Sequence, residues 1–382
     1  MARKTALIVV TSMIFSLGLV MIFNTTSAEI LDLDLDRSHH IAIFRQLAYA
    51  ALGALLGLFV GKMGARQFIR ISPLVLFVLT FFLLLCFVPG IGKAVNGSRR
   101  WIMLGGISFQ PSEFVKFVIP AYFIYRIGQC ETFSIVSLLR ALGFIAIPMG
   151  LILFEPNNGT VGVILVTLVA LCFLAEIPLK YWALPLCVIL LVGSVVAWQL
   201  PYVRGRIQVY LNPELDVLGR GHQPLQAKIA AGSGMLLGKG PGNSLQKLSY
   251  LPEAQNDYIA AIYAEEFGFV GISSLILLYL VVTYLGFSQA YLAVNREEAL
   301  MAASVMFLIA FQAFMNLGVV SGLLPSTGLN LPFFSQGGTS LIANIMGLSL
   351  MLNVKTGERD EKACGDQRRR IGRAPISRPG AC

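Results

Sequence analysis

Four carboxylates fall within residues 243–271, NSLQKLSYLPEAQNDYIAAIYAEEFGFVG. Asp257 stands where a polar segment gives way to an apolar one, and Glu265 and Glu266 follow about two helical turns later. An ionisable side chain in an apolar run is costly and marks function. At the mouth of such a run, a carboxylate can take a proton from a hydroxyl as a general base. Half-burial beside Tyr258 and Ile259 would strengthen it, because burial disfavours the charged form. Glu265 and Glu266, deeper in the run, read as structural, and Glu253 as a substrate or metal neighbour of Asp257.

Four other constellations sit at the ends of apolar runs. Arg45, in FRQLAYAALG, either snorkels to an interface or faces a site. Glu113 and Lys116, in NGSRRWIMLGGISFQPSEFVKF, are three apart on one helix face. Such a pair tolerates burial, either as a purely structural bridge or as the lining of a polar cavity. The turn EPNNGT at residues 155–160 groups Glu155 with Asn157 and Asn158, and spacing does not separate it from a plain turn. PSTGLNLPFFSQGGTS, residues 325–340, reads as a re-entrant loop, because irregular backbone at membrane depth survives only when buried in protein or lining a cavity. His39, His40 and His222 form no metal-ligand spacing.

The elements that must position these groups are apolar helices. The 382 residues are 56% hydrophobic and only 13% charged, against about 25% charged in a soluble domain. Continuous runs, rather than alternating ones, favour helices over a β-barrel and give an all-α polytopic membrane protein. Ten spans are expected, at about 5–23, 41–61, 71–89, 111–126, 141–155, 159–176, 181–199, 258–289, 299–318 and 339–354. The first is a retained span rather than a cleaved leader, and the eighth is long enough to tilt or to project from the bilayer. No internal repeat supports an inverted-repeat transporter.

With the N-terminus cytoplasmic, 17 Lys and Arg fall inside and 10 outside, which favours that orientation. Both termini are then cytoplasmic. Asp257 and the last three constellations face outside, with Arg45 just beneath that surface. The net charge of +9 is loop and tail charge toward lipid head groups or an anionic ligand, and not a nucleic-acid signature. The six cysteines read as free thiols.

Six of the ten outer cations lie in the large extracytoplasmic loop between spans seven and eight, residues 200–257. The loop is either simply solvated or built to meet an anion. QPLQAKIAAGSGMLL within it reads as a short amphipathic helix ending in glycine, and GKGPGNS as a turn. Residues 1–354 form the membrane domain, and 355–382 a disordered basic cytoplasmic tail.

Several of these stretches together, GSRRWI…FQPSEFVK, EP..GT, G.GNS.QK..YLPEAQNDYI…AEE.G and P.TGL.LPF.S.GG.S, resemble the SEDS family (shape, elongation, division and sporulation). The resemblance covers the first span to the last. NSLQKLSYLPEA is closer to the FtsW, division-type branch than to the RodA branch. The resemblance implies a peptidoglycan glycosyltransferase that polymerises lipid II into glycan strands on the outer face of the bacterial cytoplasmic membrane. It also implies a class B penicillin-binding protein as transpeptidase partner, alongside other division proteins. The family's essential aspartate matches Asp257, its helix-four pair matches Glu113 and Lys116, and its span-two basic residue matches Arg45. Two departures matter. Asn157 stands where the family usually has Asp, which would leave Arg45 without an ionic partner. Gln255 and Asn256 precede Asp257 where the family commonly has His and Thr, so a His-dependent mechanism is excluded.

The expected chemistry is inverting glycosyl transfer with Asp257 as base. Arg204, Arg206, Lys239 and Lys247 are candidates to stabilise the departing diphosphate, assisted by a divalent cation, Mg or Mn. Gln246 and Glu253 join Arg45, Glu113, Lys116 and Asn157 as candidate substrate contacts. A lipid II flippase and a non-catalytic scaffold of the division complex are the alternatives. A transporter calls for ionisable groups through the full membrane depth, whereas here they gather on one side, which favours the enzyme.

Overall fold

Each of the ten apolar runs folds as a helix, because only a helix satisfies its own backbone away from water. The computed structural model describes residues 2–33, 40–95, 98–104, 107–129, 134–199, 201–212, 221–248 and 255–357. In chain order come α1 (Ala2–Leu33), α2 (Ile41–Met63), α3 (Ala65–Leu85), then strands β1 (Gly92–Val95), β2 (Ser98–Leu104) and β3 (Ile107–Phe109). After these come α4 (Pro111–Gly128), α5 (Ile135–Phe154), α6 (Asn158–Leu174), α7 (Leu179–Gln199), α8 (Pro201–Leu211) and α9 (His222–Ser233). The chain closes with α10 (Ile259–Tyr291), α11 (Arg296–Val320) and α12 (Gly338–Leu352). Six of these, α1, α2, α3, α5, α10 and α11, are long and apolar enough to cross a membrane. The helix expected within the large loop is α9, and Gly234 ends it. The tail from residue 358, Cys130, Cys364 and Cys382 lie outside the described residues, while Cys86, Cys172 and Cys187 are free thiols.

α11 is the central post. Its most apolar window is 67% buried, against 22–33% for the other five long helices, so it faces protein nearly all round. Around it, α2 lies against α12 through a stripe of small residues. A β-carbon at Gly57 would stand 3.3 Å from Ser349 Cβ, and one at Gly61 would stand 2.4 Å from Asn353 Nδ2. Ser349 then reaches the Gly57 carbonyl at 2.6 Å. Small residues let backbones approach in this way where no hydrophobic drive operates between helices.

Residues 92–109, where the sequence reading placed no strand, form a three-stranded antiparallel sheet, β1-β2-β3, with Lys93 opposite Trp101 and Met103 opposite Ser108. The signal was the alternation in β2, where Arg100 and Ile102 point inward while Arg99 and Met103 are exposed.

The long eighth span is broken rather than merely tilted. Gly268 has φ 65°, ψ −163°, a conformation essentially reserved for glycine. The break frees backbone groups, and the glycine-rich segment 234–240 takes them up. Lys239 and Gly240 amides donate to the Glu265 and Glu266 carbonyls at 3.0 Å each. The Phe269 and Val270 amides donate to Met235 and Leu236 at 2.8 and 3.1 Å.

Candidate functional site

α11 carries two amides one turn apart, Gln312 and Asn316, both buried. Gln312 accepts from Lys116 Nζ at 2.9 Å and donates to the Asn330 carbonyl at 2.8 Å. Lys116 also pairs with Glu113 at 2.7 Å, and both side chains are nearly dry. The expected helix-four bridge therefore exists, and it extends through Gln312 into the irregular segment 321–337. Asn316 grips the Leu329 carbonyl at 2.7 Å and the Asp257 carbonyl at 2.9 Å. The Gln336 amide meets the Gln255 carbonyl at 3.0 Å, which closes the segment over the same turn.

Asp257 is half-buried at the entrance to α10, as read from sequence. Gly328, φ 70°, lies opposite; a β-carbon there would stand 3.8 Å from Asp257 Oδ2. Around this turn Thr327 Oγ1, Gln336 Oε1 and Asn316 Oδ1 are buried with no hydrogen-bond partner among the described residues. Buried polar atoms are normally satisfied, so a group of orphans marks a place where something else binds. Next door, Tyr258 donates its hydroxyl to Ser326 at 3.2 Å, and Arg206 Nη1 meets the Ser326 carbonyl at 2.7 Å. These residues line a cleft of about 160 Å³ together with Tyr210, Gln223 and Lys228.

The EPNNGT turn joins the same end. Arg100 donates to the Glu155 and Pro156 carbonyls at 2.8 and 2.5 Å. The Glu155 carboxyl, in the turn between α5 and α6, is buried, and neither oxygen accepts a hydrogen bond within normal distance among the described residues. Burial pushes it up to about 8, and the nearby Cys86 thiol and Arg100 guanidinium oppose that only in part. Asn157 bonds Ser112 at 3.3 Å and accepts from Thr160 at 3.0 Å. It ties α6 to α4 and has no bond to Arg45. A β-carbon on Gly159 would stand 2.7 Å from the Thr327 carbonyl, so this turn backs directly onto the 321–337 segment. Thr339 completes the ring, meeting the Ser108 carbonyl at 2.8 Å. The constellations that sequence placed together do meet at one end of the bundle.

Five candidate residues stand elsewhere or are engaged. Lys239 pairs with Glu265 at 2.5 Å, and Lys247 with Glu266 at 2.9 Å, also reaching Asn24 at 2.7 Å. Glu265 and Glu266 are 0% and 1% exposed, so their charges must be met inside the protein. The two lysines thus answer the structural glutamates and do not present free charge to an anion. Arg204 is exposed, bonded to the Trp198 carbonyl at 3.0 Å and set over its ring. Arg45 is also exposed, because the small-residue face of α2 that meets α12 includes its neighbour Gln46, which donates to the Ser335 carbonyl at 3.3 Å. One residue is about 100° of helix, enough to turn Arg45 off that face. Gln246 contributes its amide to Glu265 at 3.4 Å. Glu253 lies outside the described residues. Sequence reading passed over Gln312, Asn316 and Lys228. The i, i+4 amides of FQAFMN in an apolar run were the available signal for the first two.

The model of the FtsW/RodA/SpoVE family, described as cell cycle protein, matches residues 4–360. The chain belongs to that family. Among its relatives, stage V sporulation protein E of Bacillus subtilis is 36% identical over 91% of this chain and 95% of its own. The probable peptidoglycan glycosyltransferase FtsW of Legionella pneumophila is 36% identical over 82% of this chain and 81% of its own. In the fold, a chain from a structure on coordination of polymerization and crosslinking by a peptidoglycan synthase complex aligns with TM-score 0.73, 25% identity, 91% of this chain and 96% of that one. Thermus thermophilus rod shape determining protein RodA aligns with TM-score 0.64, 25% identity, 91% of this chain and 95% of that one. FtsW/RodA/SpoVE membership accounts for the helix order and for the sequence motifs that surround Asp257. Among the described residues, no three His, Cys, Asp or Glu side chains gather as a metal cage.

Proposed function

We propose that this chain is a peptidoglycan glycosyltransferase that polymerises lipid II on the outer face of the cytoplasmic membrane, in septal synthesis. The supporting observation is the fixed, half-buried Asp257 beside a cationic cleft, ringed by unpartnered polar atoms. The names of the FtsW relatives and the motif NSLQKLSYLPEA favour the division role.

Asp257 accepts the proton of the acceptor sugar hydroxyl as its oxygen attacks the donor's anomeric carbon. A new C–O bond forms, the C–O bond to diphosphate breaks with inversion, and the electron pair leaves on the polyprenyl diphosphate. That leaving group needs charge stabilisation more than protonation, which Arg206 in the cleft is placed to give. The Glu113–Lys116 pair acts through Gln312 on the 321–337 segment and shapes the cavity rather than touching the reacting atoms. Among the described residues Asp257 is the carboxylate that would hold a divalent cation, and such an ion would neutralise diphosphate charge. A class B penicillin-binding protein would cross-link the strands, and the assembly would keep both termini of this chain cytoplasmic. Purified protein given lipid II in detergent, with and without that partner, tests the proposal. Product in detergent needs no second compartment and so excludes a flippase. An Asp257→Ala variant that polymerises normally would sink the assignment.

A further inference from the structure

The half-helix 259–267 starts just after Asp257, and the break at Gly268 interrupts its ladder with the rest of α10. Its placement therefore depends on what grips it from outside. The glycine-rich segment 234–240 is one grip. The other is α1, the first span, through Gly18, Asn24 and Thr26. A β-carbon on Gly18 would stand 2.5 Å from the Phe334 carbonyl oxygen, so α1 lies directly on Phe334. The Phe334 ring in turn meets the Tyr263 ring of the half-helix edge-on, with centroids 5.5 Å apart. Further along α1, the Asn24 carboxamide donates to Glu266 Oε2 at 2.6 Å and accepts from Lys247 Nζ at 2.7 Å. With Lys247 and Glu266 paired at 2.9 Å, the three side chains close a ring. A carboxamide suits this place, because its oxygen meets the ammonium while its nitrogen meets the carboxylate. Thr26 donates its hydroxyl to Gln255 Oε1 at 3.3 Å, and the Gln255 carbonyl accepts from the Gln336 amide at 3.0 Å. Helix positions i and i+2 do not share a face, so the end of α1 is wedged between Glu266 and the turn that carries Asp257.

We infer that Asn24 and Thr26 are positioning residues for Asp257, and that α1 braces the reaction site as well as crossing the membrane. The inference rests on the transferase reading for the reaction and names what holds its base. Both residues act through others: Thr26 through Gln255, just before Asp257, and Asn24 through Glu266, at the far end of the half-helix. Asn316 and Ser326 hold Asp257 and Tyr258 from α11 and the 321–337 segment. The α1 contacts come from a separate element and fasten separate residues. Misplacing a catalytic group by about 1 Å can cost a hundredfold, so a side chain remote from the chemistry can govern kcat and leave binding alone.

The test is steady-state glycan synthesis by the full chain with lipid II varied, alongside hydrogen–deuterium exchange of the same variants read by mass spectrometry. Thr26→Val keeps the side-chain shape and removes the hydroxyl. It is expected to lower kcat roughly tenfold or more while KM for lipid II stays within about twofold of wild type. Thr26→Ser keeps the hydroxyl and should restore kcat. Asn24→Asp sets two carboxylates against one ammonium and should also lower kcat. Adding Glu266→Gln exchanges acid and amide, lets every bond of the ring re-form and should recover it. In Thr26→Val and Asn24→Asp, exchange should quicken across 259–267 and stay unchanged in α11. Wild-type kcat in both single variants overturns the inference. So does a Thr26→Val loss that falls equally on KM, or that Thr26→Ser does not relieve, and so does an Asn24→Asp defect that Glu266→Gln leaves in place. Exchange needs no activity, which separates the two readings. Quickened exchange in variants of a chain that makes no glycan sinks the transferase reading and leaves the brace. Unchanged exchange in variants of a polymerising chain removes the brace and leaves the transferase.

Discussion

The carboxamide of Asn316 donates to the carbonyl of Asp257 at 2.9 Å and, with its other hydrogen, to that of Leu329 at 2.7 Å. One side chain on the buried central helix thereby sets the distance between the entrance of α10 and the 321–337 segment. Both contacts are carbonyls, so only a two-hydrogen donor serves. Asn316→Asp removes the nitrogen that makes both contacts and, when ionised, sets oxygen against both carbonyls. We expect glycan synthesis from lipid II to fall roughly a hundredfold, the cost of about 1 Å of misplacement. A variant with wild-type turnover would show that Asn316 does not position Asp257.

The Glu113–Lys116 pair makes a complementary prediction. Lys116→Ala leaves a carboxylate 8% exposed without its cation, which should cost about 3–5 kcal/mol. Glu113→Gln with Lys116→Met removes both charges and should recover most of that stability in a thermal melt. Activity should stay low in the double variant, because Gln312 loses its partner and with it the hold on Asn330. Recovery of activity with stability would make the pair a purely structural bridge.

Lys247 and Glu266 should behave differently. Lys247→Ala strands a glutamate that is 1% exposed and is expected to destabilise strongly, whereas Lys247→Met with Glu266→Gln should restore folding. Because this lysine answers a buried carboxylate, the double variant should also keep its glycan synthesis from lipid II. Loss of synthesis in a well-folded double variant would return Lys247 to the substrate.

Gly328 tests the space in front of Asp257. Gly328→Ala forces a methyl into a backbone with φ 70° and sets it 3.8 Å from Asp257 Oδ2. The strain should cost on the order of 1–3 kcal/mol. Turnover is expected to fall further than this stability loss accounts for, with donor binding affected less than kcat. Equal losses in KM and kcat would speak against an acceptor hydroxyl at that spot.

Helix positions and the polar stretches were legible in the sequence because hydropathy and helix-breaking residues act locally. Asp257 stood out for the same reason, as a charge at the edge of an apolar run. What was not legible depends on facing. Arg45 and Gln46 are adjacent in sequence, and only the packing of the Gly53, Gly57 and Gly61 stripe decides which of them is buried. Lys239, Lys247 and Lys228 look alike in the loop. Their roles diverge because the break at Gly268 brings the 234–240 segment, and with it Lys239, against Glu265, while α9 carries Lys228 to the cleft. The sheet was missed because its turns are short and its alternation spans only one strand. Gln312 and Asn316 are ordinary amides until the carbonyls they grip are known.

Glu155 gives a pH signature independent of activity. Burial raises its carboxyl from 4.5 to about 8, so the folded protein holds this proton through neutral pH while the unfolded chain releases it. Stability from this group is complete below 4.5, declines as pH rises and levels off above about 8, because the folded state binds more protons across that window. Glu155→Gln keeps the neutral shape and has no proton to lose. Its thermal midpoint in detergent should match wild type near pH 5, exceed it at pH 8, and show a flatter slope between. The Arg100 contacts are to backbone carbonyls and survive the substitution, so the turn should keep its form. A wild-type midpoint that rises from pH 5 to pH 8, or a Glu155→Gln curve parallel to it, would mean that the carboxyl is ionised in place, with Arg100 as its counter-charge.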